Sequence, residues 1–109
     1  MAYDEALADV MRDDLGNAAG LSEKKMFGGL CFLLNGNMVC GISAKAAMYR
    51  VGKAAEAEAM ALPGVEEMAF TGRKMGGMVD LPLDAFGDDE TRNDLTRLAL
   101  AHAAGLPPK

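Results

Sequence analysis

The residues that could do chemistry are few: cysteines at 31 and 40, one histidine at 102, serines at 22 and 43, and glycine pairs at 28–29 and 76–77. A structural zinc needs four Cys or His ligands and a catalytic zinc three protein ligands, so two cysteines and a distant histidine make a poor metal set. Neither serine stands in a Gly-x-Ser-x-Gly elbow, and a single histidine would have to serve any triad. His102 falls on the apolar stripe of a helix near its C-terminus, where a half-buried structural role is the simpler reading. The glycine pairs form neither a dinucleotide-binding fingerprint nor a P-loop, and glycine inside a strand marks a bulge or a close approach of another backbone. The carboxylates Asp4, Asp9, Asp13, Asp14, Asp88, Asp89 and Glu90 lie at helix starts and on polar faces, where solvated charge is the default.

The cysteines belong to the stretch KKMFGGLCFLLNGNMVCGI, residues 24–42, which reads as a buried hairpin. Lys24 to Leu34 is the outgoing strand, Asn35-Gly36 a type I′ turn, and Asn37 to Ser43 the return. Counting back from the two-residue loop sets Leu33 against Met38 and Cys31 against Cys40, at a non-hydrogen-bonded position where side chains approach closely. That makes Cys31 and Cys40 a possible redox pair. The alternative is two small apolar side chains sharing a buried face, and it is favoured because no Cys-x-x-Cys motif, cation cluster or helix N-terminus lowers a thiol pKa.

Other elements must hold this hairpin. Leu7, Val10, Met11 and Leu15 recur at helical spacing, with Asp4 as N-cap and Gly16 as stop, which predicts a helix over 4–15. Residues 46–51 supply a third strand, and 53–62 form an alanine-rich helix ended by Pro63. A second hairpin runs over 66–71, turns at 72–74 and returns over 75–81. The last helix starts near Asp88, carries Leu95, Leu98, Ala99 and His102 on one stripe, and stops before Gly105 and Pro107-Pro108. The order α-β-β-β-α-β-β-α, with strands joined by short turns, predicts an α+β fold in which helices cover a mostly antiparallel sheet in two layers.

Length sets one domain over residues 1–109. The acidic, amphipathic N-terminus lacks the signature of a secretory signal, and no apolar run reaches the ~20 residues that span a bilayer. The expectation is a cytoplasmic protein with no membrane contact and free thiols. Charge is unevenly spread. Residues 1–23 hold six acids and one base, residues 24–53 hold Lys24, Lys25, Lys45, Arg50 and Lys53 with no acid, and residues 54–70 hold four acids. With Arg73 and Lys74 in the second hairpin, this predicts basic strand edges or turns that could meet an acidic partner, or lysines that guard strand edges against aggregation. A net charge of −5 disfavours bulk phosphate attraction, and with it direct nucleic-acid contact.

The acidic first helix, KKMFGG at 24–29, the Leu-Asn-Gly-Asn turn, MYRVG at 48–52, FTGRKMGG at 70–77 and the closing LPPK together resemble the TfoX/Sxy amino-terminal domain family, in a small stand-alone form. The resemblance covers nearly the whole chain. It implies a two-layer, secretion-chaperone-like arrangement and a regulatory, non-enzymatic role with no cofactor. Longer relatives act in transcriptional control of natural competence, so it also implies a protein partner from that machinery. Lys24, Lys25, Met26, Phe27, Gly28, Gly29, Arg50, Gly72, Arg73 and Lys74 are the motif or interaction positions, and a homodimer through a sheet face or edge is a further expectation. Two other classes remain open at this level: a small-molecule binder or small enzyme with a pocket near Cys31, and direct nucleic-acid binding through the basic strands.

Overall fold

A computed structural model describes residues 3–16, 19–26, 29–70 and 73–108, with backbone alone at 26, 68–70 and 73–76. The first helix, α1, spans Glu5–Leu15. The Asp4 carboxylate caps it by accepting from the Ala6 N–H at 2.8 Å, and Gly16 ends it with φ of 66°. Six strands follow: β1 (Leu21–Met26), β2 (Gly29–Leu34), β3 (Asn37–Ile42), β4 (Ala46–Arg50), β5 (Glu66–Phe70) and β6 (Arg73–Pro82). A 3₁₀ turn, Lys53–Ala55, leads into the short α2 (Glu56–Met60), and a second, Leu83–Ala85, precedes α3 (Asp89–Ala104). Asp88 caps α3 by accepting from the Thr91 N–H.

The expected two-layer α+β architecture is what forms. All strand pairs are antiparallel, and the sheet order is β1-β2-β3-β4-β6-β5. Asn35 and Gly36 have φ of 52° and 85°, as a type I′ turn requires. One strand more is present than the sequence predicts. The run expected as a single strand over 24–34 is two, because β1 ends at Met26 and pairs back along β2 from Gly29. The sequence LSEKKM hides β1: as an edge strand with Ser22, Glu23, Lys24 and Lys25 exposed, it lacks the apolar alternation that marks a half-buried strand. Ser22, which precedes the strand predicted from Lys24, therefore lies inside a strand. The second hairpin is also tighter than expected, with β6 starting at Arg73, where a turn was predicted.

The core lies between one sheet face and the helices. Phe32, Val39, Cys40, Ile42, Tyr49, Val79 and Leu81 face Met11 and Leu15 of α1 and Leu95 and Ala99 of α3, all nearly or fully buried. Burial of this apolar area drives folding. Among the described residues no helix is long and apolar enough to cross a membrane.

Two charged residues join this core. Arg92 of α3, with its side chain 10% exposed, donates through Nε to Asp14 Oδ2 of α1 at 2.5 Å, and through Nη1 to the Phe86 carbonyl at 3.0 Å. Its guanidinium also stands 5.5 Å from the centre of the Phe86 ring. Asp14 was expected on a solvated face; its side chain is 9% exposed and locks α1 to α3.

Candidate cleft at the Arg50 end of the sheet

Antiparallel register gives the sheet two distinct ends. At one lie Met26, Gly29, Ile42, Ala47 and Leu81; at the other Leu21, Leu34, Asn37, Arg50 and Met78. The motif 24–29 belongs to the first end. Motifs 48–52 and 70–77 meet at the second, and a cleft of about 210 Å³ opens there, lined by Arg50, Gly52, Lys53, Gly77 and His102.

The cleft is built by backbone. The carbonyl of Gly77 accepts from both the Val51 and Gly52 N–H groups, at 2.9 and 3.0 Å, which pins the chain leaving β4 to the chain entering the paired part of β6. The Gly77 N–H in turn donates to Glu56 Oε1 at 3.0 Å, tying this junction to α2. Gly52 and Gly77 have φ of 84° and 80°, a region glycine enters at no steric cost. Neither has room for a side chain: a Cβ on Gly77 would stand 3.1 Å from Gly52 C, and one on Gly52 would stand 2.5 Å from His102 Nδ1. The glycines bring backbone close to backbone, as strand glycines are expected to, and in doing so they set Arg50, Lys53 and His102 around one hollow.

Among the described residues Arg50 and Lys53 form no ion pair, whereas Arg12, Arg92 and Arg97 all do. Arg50 is half-buried at the end of β4 and Lys53 is exposed. His102, on the last turn of α3, is half-buried and packs its ring against Gly52, which makes it a wall of the cleft. Such a cation set in a chain of negative net charge is fitted to a carboxylate or a similar anion.

The other sequence-derived positions divide. Lys24 and Lys25 lie exposed on the edge strand at the far end, where they fit the edge-guarding reading. Gly29 is held against the Ile42 carbonyl, which leaves no space for a Cβ. Met26 ends β1; Phe27, Gly28 and Gly72 lie outside the described residues. Arg73 and Lys74 open β6, which pairs with β4 only from Met78 onward. Their backbone therefore continues β6 past the end of β4, on the cleft side.

The cysteines do not pair as predicted. The register holds at Leu33 with Met38 but shifts by one residue beyond it, so Phe32 faces Cys40 and Cys31 faces Gly41. Val39 is the extra residue of a β-bulge, and counting from the turn cannot reveal one. Cys40 points into the core and Cys31 to the opposite sheet face; both are free, buried thiols. Burial pushes both pKa values up, away from the reactive thiolate. Among the described residues, no group of three or more His, Cys, Asp and Glu side chains is placed to hold a metal.

No curated protein and no solved structure matches the chain. Residues 13–103 match the family model for the TfoX N-terminal domain, a span that takes in every strand and both halves of the cleft, and the chain belongs to that family.

Proposed function

We propose that this domain is a non-enzymatic regulatory module that docks a protein partner of the transcription or competence machinery, receiving an acidic segment of that partner at the Arg50, Lys53 and His102 cleft. One observation carries the reading. Two motifs far apart in sequence converge on the Gly77 carbonyl, and Arg50 and Lys53, gathered there, carry no ion pair among the described residues. Family membership supports a regulatory setting. The size of the cleft supports a side chain rather than a whole cofactor as its occupant, because about 210 Å³ falls below the ~300–1,000 Å³ of most small-molecule sites.

The test is capture from the native host's cytosol by the tagged chain, with and without nuclease, comparing wild type with the Arg50→Glu, Lys53→Glu variant. The reading expects a protein that survives nuclease and is lost on charge reversal while the circular-dichroism melt stays nearly unchanged. Capture that vanishes with nuclease overturns it in favour of nucleic acid. A captured protein indifferent to the reversal places the docking surface elsewhere.

A further inference from the structure

The helices pack on one face of the sheet, and among the described residues no helix packs on the other. The core residues Leu30, Phe32, Ile42, Tyr49, Val79 and Leu81 alternate with a second set that points away from the helices: Leu33, Met38, Ala46, Met48, Met78 and Pro82. Met78 is buried and the other five are half-buried, which makes this face apolar and adaptable, as methionine-rich surfaces are. Its centre is low in relief. Gly41 has no side chain, and Cys31 Sγ and Met48 Cε lean to within 3.2 and 3.3 Å of where its Cβ would stand.

Charge runs across this face with a definite polarity. Successive cross-strand partners from one edge to the other are Lys24, Cys31, Gly41, Met48, Asp80 and Glu66. The row is basic at the β1 edge and acidic at the β6 and β5 edge. Among the described residues none of its three charged members forms an ion pair, and Asp80 Oδ1 is buried with no hydrogen-bond partner. Burial, with Glu66 alongside, pushes the Asp80 carboxyl pKa up. A neighbouring cation would relieve both effects.

We propose that two copies of this chain pack these faces together about a two-fold axis that lies between the sheets and runs along the strands, between β3 and β4. This axis reverses the row. Lys24 of each copy then stands over Glu66 of the other, within reach of Asp80, and the Gly41 and Met48 centres meet. An axis along the row instead would stack Lys24 on Lys24 and Asp80 on Asp80, so charge selects the first. Isologous contact requires such self-complementarity. Six strands ~4.8 Å apart and ~20 Å long give a face of roughly 500 Å² per copy, below the ~800 Å² typical of stable complexes, so the dimer is weak and forms only as concentration rises. The axis leaves both Arg50 clefts at the same end of the assembly. The inference goes beyond the cleft reading and does not depend on it.

Sedimentation equilibrium of the full chain from about 1 to about 500 μM tests it. Wild type is expected to pass from monomer to dimer mass. Lys24→Glu and Glu66→Lys should each raise the dissociation constant about tenfold, and the double swap should restore it to within about threefold of wild type. Both positions are exposed, so each variant is expected to keep the wild-type melt. Met48→Glu at the centre should be monomeric throughout. A wild type that stays monomeric across the range overturns the proposal, as does a double swap no better than the single reversals.

Discussion

Arg92 and Arg50 are the same residue type in opposite circumstances. Arg92 sits between α1 and α3, with its side chain 10% exposed, and spends its donors on Asp14, Asp89 and the Phe86 carbonyl. Arg50 stands at the end of β4 beside a hollow, with no ion pair among the described residues. The first is fastened within the fold, and the second is the one on which the proposed docking rests. Burial and satisfied donors mark a structural arginine, and Arg50 has neither mark among the described residues.

The contrast is broken most severely at Arg92. Arg92→Met leaves Asp14 buried without its partner and should cost about 3 kcal/mol, a fall in Tm of roughly 12 °C or more by calorimetry. The Asp14→Leu, Arg92→Met double variant should recover part of that loss, because breaking a buried pair is worse than removing it whole. Gly52→Ala comes next, at about 2 kcal/mol in a denaturant titration, since it forces a side chain into a left-handed conformation and against the His102 ring. Arg50→Glu should shift the same titration by less than about 0.5 kcal/mol while abolishing partner capture.

The smallest effect concerns an exposed pair. Arg12 donates to Glu23 at 2.7 and 2.9 Å and holds its carboxyl below the usual range. After solvent screening the pair contributes under about 1 kcal/mol. Because the folded pKa of Glu23 lies below the unfolded one, this stability is present above the unfolded value and lost as pH falls through the folded value. The gap in Tm between wild type and Arg12→Ala should therefore be open at neutral pH and close in acid.

These two arginines also show which features the sequence displays. Local signals read true: the Asp4 cap, the helix start near Asp88, the Asn35-Gly36 turn and the Gly16 stop each act over a few residues. Arg50 is visible because it stands in an acid-free run. What it would line is not, since the hollow exists only where Gly77 meets Val51 and Gly52 across a strand pairing. The Arg92 pair is hidden for a similar reason: Asp14 and Arg92 lie 78 residues apart on two helices, each resembling an ordinary polar position. A polar edge strand and the one-residue bulge at Val39 leave no periodic trace, which is why β1 and the cysteine register emerge only from the pairing.

The most direct measurement is a comparison of photo-crosslinking from the two ends of the sheet. A photoreactive residue in place of Ala54, exposed beside Lys53, reports on the cleft, and one in place of Lys45, exposed in the turn between β3 and β4, reports on the opposite end. In native-host extract the account predicts an adduct with a protein other than this chain from position 54 and none from position 45. Such an adduct from position 45 alone, or equal ones from both, would contradict it.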